Sequence, residues 1–147
     1  MLLDLVKLVH LVSMACWLGA TLWLAGDARR SRPAGPAEAR AFVARAGRAL
    51  GLDRWAGALT ILSGLGLLHL DKLWPPPAWV VVGFSLAVAR AGLSDALLRP
   101  SLRRLAAGLD SGRSPADLAA GARRLAALSG AGHLAWLVAL AAMVGRW

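Results

Sequence analysis

The chain has 147 residues, room for one domain, and hydrophobic residues make up 58% of it. Soluble globular domains contain roughly 45–50% apolar residues, so a soluble fold of this size would have more apolar side chain than its interior can hold. The net charge of +9 does not indicate nucleic-acid binding, because 13 of the 17 Lys and Arg fall in 27–54 and 99–125, between apolar runs, as in loops that contact anionic headgroups. These features predict an integral membrane protein whose partner is the lipid bilayer.

Four apolar runs predict four membrane-spanning helices within a single domain, 1–147. A hydrocarbon core near 30 Å needs about 20 helical residues. The predicted spans cover approximately residues 2–26, 52–70, 78–98 and 126–146.

The segments between the spans predict one loop and one amphipathic helix on the basic side. Turn residues and charges in 27–36 indicate a loop. From 37 to 50 the apolar residues fall on one side, which predicts an amphipathic helix that either lies at the surface or leads into the second span. That apolar side consists of Phe42, Val43, Ala46 and Leu50.

The remaining connections carry clear breakers and one helix start. Three consecutive prolines in 71–77 predict a short connection, because prolines in a row cannot continue a helix. Pro100 and the neighbouring arginines mark the end of the third span, and 108–112 predicts a break. Ser114 and Asp117 then predict the capped start of the last helix.

The basic residues also predict the orientation. Segments 27–54 and 99–125 carry seven and six arginines, whereas 71–77 carries one lysine and one aspartate. Basic loops remain on the cytoplasmic side. The prediction is an all-α, four-helix transmembrane bundle of the bacterial inner membrane, with amphipathic cytoplasmic helix extensions and both termini periplasmic.

Ionisable residues inside the predicted spans are the candidate functional residues, because each costs about 2–3 kcal/mol or more at the bilayer centre. Histidine is a common axial ligand of haem b, so His10 could share an iron with His133 or with His69, which lies near the outer surface. Alternatively, the histidines form hydrogen bonds between helices. Arg90 could hold a haem propionate, or it pairs with Asp95 or a partner on another helix.

A copper site is a further alternative in the first span. His10 and Met14 are four residues apart and share a helix face, and a thioether beside an imidazole can hold Cu(I). A methionine at helical spacing is more often plain packing.

The first span, LVKLVHLVSMACWLGATLWLAG, has the form K-x-x-H followed by W-x-G, here Lys7, His10, Trp17 and Gly19. With the second-span piece ILSGLGLLHL and the later LLRPSLRRL, it resembles the CopD-like membrane proteins. That group includes copper-resistance D domains, HemJ-type protoporphyrinogen oxidases and small four-helix families. The resemblance covers most of the chain in architecture but few diagnostic residues.

The resemblance implies haem b on the first-helix histidine, which corresponds to His10. HemJ-type proteins carry a lysine near the outer start of the third span, where this chain has Ala78-Trp79-Val80-Val81, and this departure argues against protoporphyrinogen oxidation. Three methionines and three histidines are few for a copper-resistance domain.

The leading hypothesis is a small haem-b-binding or redox-associated membrane protein that transfers electrons, alone or within a larger complex. Whether it is also an enzyme stays open. The alternatives are a non-catalytic accessory subunit that docks to other membrane chains, and a CopD-like protein that handles copper.

Overall fold

The protein is all-helical in a computed structural model, which describes residues 1–30 and 35–145 and contains no strand within them. A five-residue π-helical turn, Ser94–Leu98, joins the fourth helix to the fifth. The helices are α1 (Leu2–Leu22), α2 (Leu24–Arg30), α3 (Pro36–Leu70), α4 (Ala78–Leu93), α5 (Arg99–Asp110) and α6 (Pro115–Gly145). The predicted all-α class is therefore confirmed.

Three of the described helical stretches are long and apolar enough to cross a membrane: Leu2–Ala28, Ala78–Asp110 and Asp117–Val144. They contain the predicted spans 2–26, 78–98 and almost all of 126–146. The other predicted span, 52–70, forms the second half of α3, where Asp53 and Arg54 shorten the apolar stretch.

Large apolar side chains are exposed along these helices. On α1 the exposed fractions of Leu2, Leu5, Leu8 and Leu11 lie between 56% and 63%. A row of leucines facing outward over several turns is unfavourable in water and suits contact with lipid.

The predicted connections agree with the observed helix ends at two places and differ at one. α3 ends at Leu70 and α4 begins at Ala78, and α5 ends at Asp110, before a turn in which Gly112 has a φ of +67°. Residues 27–30 of the predicted loop are helical, because α2 extends to Arg30; residues 31–34 lie outside the described part.

The helical stretch continues past Pro100, the residue that marks the end of the predicted third span, as far as Asp110. Pro100 lies in the first turn of α5, directly after the π-helical turn. A proline is tolerated there because its missing N–H is not needed for a helical hydrogen bond.

The amphipathic segment 37–50 and neighbouring parts of the other helices pack together around one apolar cluster. Phe42, Ala46 and Leu50 are each 2% exposed or less, as the sequence predicted for one face of 37–50, and this stretch leads directly into the second half of α3. The cluster they join is Leu24, Ala28, Phe42, Ala46, Leu50, Leu98, Leu102, Leu105 and Leu125.

Polar contacts fix the rim of this cluster. Arg45 forms ion pairs of 2.9 Å with both Asp27 and Glu38, and hydrogen bonds to Glu38 and then Asp27 raise the pKa of the Arg45 guanidinium.

At the start of α6 the backbone N–H of Asp117 donates to Ser114 Oγ at 3.3 Å, and Ser114 Oγ donates to Asp117 Oδ2 at 2.7 Å. The predicted helix cap is confirmed.

Candidate functional site

A buried ion pair joins α3 to α4. Arg90 Nη2 lies 2.8 Å from Asp53 Oδ1, and the two residues are 4% and 2% exposed. A charge at this depth persists only where it is paired and hydrogen-bonded. Asp95, which the sequence offered as a partner, instead pairs with Arg99 at 2.6 Å and Arg54 at 3.4 Å.

Further side chains and one backbone carbonyl complete the environment of this pair. Ser94, the first residue of the π-helical turn, donates from Oγ to Asp53 Oδ2 at 2.6 Å. Arg90 Nη2 also lies 3.3 Å from the carbonyl oxygen of Trp17 and 3.4 Å from Thr21 Oγ1. The guanidinium carbon is 4.3 Å from the centroid of the Trp17 ring, within the range of a cation–π interaction. Short π-helical turns inside α-helices are frequent at functional sites.

The network leaves several buried donors unused. Arg90 Nε and Nη1 and Trp17 Nε1 are buried without an acceptor among the described residues. Such groups are uncommon in folded proteins, since each costs free energy. Arg90 therefore keeps donor capacity that its protein partners do not use.

His133 lies at the same level as this network. Its Nε2 is 3.4 Å from Thr21 Oγ1, and Ser129 Oγ donates to the Thr21 carbonyl at 3.3 Å. Thr21 therefore contacts both His133 and Arg90, which the structure brings together around one hydroxyl group.

His10 belongs to a separate polar cluster between α1 and α3. Its Nδ1 is 3.1 Å from the carbonyl oxygen of Thr60 and 3.0 Å from Ser63 Oγ. A carbonyl oxygen can only accept a hydrogen bond, so the Nδ1 position carries the proton, and in the neutral ring Nε2 carries the lone pair. Ser13 closes the cluster, because Thr60 Oγ1 donates to Ser13 Oγ at 2.9 Å.

An apolar cavity of about 370 Å³ opens beside His10. Its wall comes from α1, α3, the 71–77 connection, α4 and α6. An added Cβ at Gly64 would lie 3.2 Å from His10 Cε1, so the absence of a side chain there lets the imidazole lie close against α3. Representative lining residues are His10, Gly64, Leu68, Trp79, Phe84 and Met143.

The structure does not bring either predicted histidine pair together. His133 contacts Thr21, which is eleven residues beyond His10 on the continuous helix α1, or about 16 Å at 1.5 Å per residue. His69 is exposed and six residues beyond Ser63 on α3, about 9 Å further along the helix by the same rise, and does not line the cavity.

Met14, which the copper alternative places beside His10, contacts an apolar cluster. Met14 is half-buried and packs against the cluster of Trp17, Ala56 and Trp136, and Cys16 is exposed. Within residues 1–30 and 35–145 there is no group of three or more His, Cys, Asp or Glu side chains placed to hold a metal ion.

Two parts of these clusters were not anticipated from the sequence. Asp53 was overlooked because it lies where the amphipathic stretch meets the second span, beside the exposed Arg54. Thr60 and Ser63 were overlooked because hydroxyl residues are common in apolar helices. Their spacing indicates a shared polar face on the helix. Thr60 follows Asp53 by seven residues and Ser63 follows Thr60 by three, so all three lie close to one helix face.

Comparison with known proteins gave no matching family model, no matching curated protein and no matching solved structure.

Proposed function

We propose that the protein is a four-helix transmembrane bundle of the bacterial inner membrane, with both termini periplasmic, that binds haem b through His10. Outward-facing leucines on α1 and the concentration of arginines in 27–54 and 99–125 support the membrane orientation. The amphipathic helix segments that pack together around Phe42, Leu50 and Leu102 are the cytoplasmic extensions in this proposal.

The observation that carries the haem proposal is the state of the His10 ring. A histidine that ligates a metal through one nitrogen usually donates the other N–H to a carbonyl or carboxylate, which fixes the ring and its tautomer. His10 Nδ1 makes this contact with Thr60 O at 3.1 Å. Its Nε2 has no hydrogen-bond partner among the described residues, and the residue lines an apolar cavity.

The cavity has the character of a cofactor site. Sites for small molecules and cofactors are mostly apolar, about 300–1,000 Å³ in volume, and contain a few polar groups that fix orientation. The cavity beside His10 measures about 370 Å³ and offers an imidazole against tryptophan, phenylalanine and leucine side chains. Haem bound there would supply a one-electron carrier within the bilayer, which suits electron transfer to or from another membrane component.

The residues fit a haem held by one histidine. They do not fit the arrangement expected from the sequence, in which two histidines hold the iron and Arg90 holds a propionate. His10 would hold the haem iron, whereas Arg90 is only 4% exposed and does not line the cavity. Arg90 therefore does not fit as a clamp for a propionate. His69 and His133 do not share the cavity with His10, so His10 is the single protein ligand of the proposed haem.

A reduced-minus-oxidised absorbance spectrum of the purified protein, expressed with haem supplied, tests the proposal. We expect the bands of a b-type haem in the wild type and in His69→Ala, and their loss in His10→Ala. His69 is a matched control because it is an imidazole on α3 outside the cavity. A wild-type spectrum without haem bands would refute the proposal and favour the accessory-subunit alternative.

The orientation is tested separately. A reporter that is active only in the periplasm, fused after Trp147, is expected to be active. An inactive reporter there, together with an active one inserted in the turn at 111–114, would reverse the proposed topology.

A further inference from the structure

A second cavity lies at the opposite end of the helices from the His10 cavity. It measures about 260 Å³ and is formed by α5, α6 and the turn that joins them. The turn at 111–114 is on the side that carries most of the arginines, so this cavity faces the basic end of the molecule. No step of the proposed haem binding uses it.

Three arginines surround this cavity. Arg104 comes from α5, Arg113 from the turn and Arg124 from α6, and Asp117 is the acidic residue in the lining. The three arginines are exposed, and none of them forms an ion pair or a hydrogen bond with another side chain within the described part of the chain. Their charge, three positive against one negative, is left for a partner outside the protein.

The acidic residue in the lining is already engaged. Asp117 Oδ2 accepts a hydrogen bond from Ser114 Oγ at 2.7 Å, and its backbone N–H donates to the same hydroxyl at 3.3 Å. This pair caps the start of α6 and gives Asp117 a structural role. The other polar side chains in the lining are the three guanidinium groups and the Ser101 hydroxyl.

Two glycines allow the cavity its shape. A Cβ at Gly108 would lie 3.2 Å from Arg113 Cδ and 3.3 Å from Leu118 Cδ2, and a Cβ at Gly121 would lie 3.3 Å from Leu105 Cδ1. The Arg113 side chain thus lies directly against the backbone of α5. This close approach holds its stem beside α5 at the cavity.

We propose that this cavity binds the phosphate group of an anionic molecule, with Arg104, Arg113 and Arg124 as its ligands. Guanidinium groups bind phosphate through paired, charge-assisted hydrogen bonds, and three of them from separate elements can contact different oxygens of one group. Arg124 lies two residues before the predicted span 126–146, so the proposed topology places it near the lipid headgroups. A lipid phosphate and a soluble phosphate share this chemistry.

The test compares two neighbouring pairs of arginines. Arg104→Gln/Arg124→Gln removes two cavity ligands, whereas Arg103→Gln/Arg123→Gln removes the same charge from adjacent exposed positions that do not line the cavity. Binding to the full-length protein in a neutral detergent is measured by calorimetry. One titration uses inorganic phosphate, and the other uses mixed micelles with phosphatidic acid, with phosphatidylcholine as the zwitterionic control.

We expect at least one of the two phosphate probes to bind the wild type, and the cavity pair to weaken that binding about tenfold or more, given the strength of hydrogen bonds to charged groups. The control pair should weaken it by less than about threefold, since exposed charges are screened. If phosphatidic acid binds and inorganic phosphate does not, the site is assigned to a lipid phosphate. If inorganic phosphate binds as well, the site is assigned to a free phosphate group. Equal losses in the two pairs, or no binding of either probe, would overturn the proposal.

Because all the substituted arginines are exposed, the variants should fold. Arg113→Gln provides an independent variant from the turn, and it too should lower the affinity for the probe that binds. An unchanged affinity in Arg113→Gln would remove the turn from the site and contradict the three-arginine arrangement. None of these results depends on haem, so the phosphate site and the haem site can fail separately.

Discussion

Separating the buried charges of Arg90 and Asp53 should be among the most damaging single changes to this fold. Replacing Asp53 by leucine leaves the Arg90 guanidinium 4% exposed without its counter-ion, and replacing Arg90 by methionine leaves the carboxylate unpaired. Breaking a buried ion pair by removing one partner costs about 3–5 kcal/mol. We therefore expect Asp53→Leu and Arg90→Met each to lower the free energy of unfolding by about this amount.

The double variant distinguishes this explanation from a loss of packing. In Asp53→Leu/Arg90→Met both charges are gone and the space is filled by apolar side chains, a replacement that is often neutral or stabilising. Its free energy of unfolding should lie near the wild-type value. If the two single losses were additive, the value would be far lower. Ser94 would lose its acceptor on Asp53, which costs about 1 kcal/mol.

A neighbouring pair of the same residue types supplies the control. Arg54 lies 3.4 Å from Asp95, and their side chains are 57% and 50% exposed. An exposed pair contributes about 0–1 kcal/mol, so Arg54→Met should have little effect.

Unfolding of the purified protein by sodium dodecyl sulfate in mixed micelles, followed by far-UV circular dichroism, measures all four variants. A loss below about 1 kcal/mol in Asp53→Leu, or a double variant as unstable as the two single losses added together, would refute the buried-pair argument.

Two further predictions concern packing and capping. Gly57→Ala should lower the free energy of unfolding by about 1–3 kcal/mol, because the new Cβ would lie 2.8 Å from Cε2 of the rigid Trp17 ring. Gly19→Ala is the control, since a Cβ there would have no atom within 4 Å. Equal effects of the two variants in the same detergent titration would contradict the contact with Trp17. Ser114→Ala should lower the free energy of unfolding by about 1 kcal/mol, because it removes the cap of α6. An unchanged unfolding midpoint would show that this cap does not stabilise the protein.

The sequence predicted those features of the fold that depend on local pattern. Apolar runs, the prolines at 75–77 and the pair of Ser114 and Asp117 determine where helices begin and end, because these residues act on their own backbone. The end of the third span at Pro100 stays a prediction, because the helical stretch continues into α5 and a proline is tolerated in the first turn of a helix.

The candidate site depended on contacts between helices, which periodicity does not reveal. Arg90 was recognised as a charge within an apolar run, yet its partner Asp53 is 37 residues earlier in the chain. His10 was recognised as a candidate ligand, but the carbonyl of Thr60 that fixes its ring becomes its neighbour only when α1 packs against α3. Pairing His10 with His133 or His69 required relative helix heights accurate to one turn, and span boundaries from sequence are less accurate than that.

Chemical rescue of a cavity variant is the most direct test of ligation by His10. His10→Gly removes the imidazole and leaves space beside the cavity for a free imidazole molecule. We predict that His10→Gly purified with haem supplied shows no haem bands, and that added imidazole restores them, because free imidazole would take the place of the missing side chain. Full haem content in His10→Gly without imidazole would contradict the account, since haem would then be held by other residues.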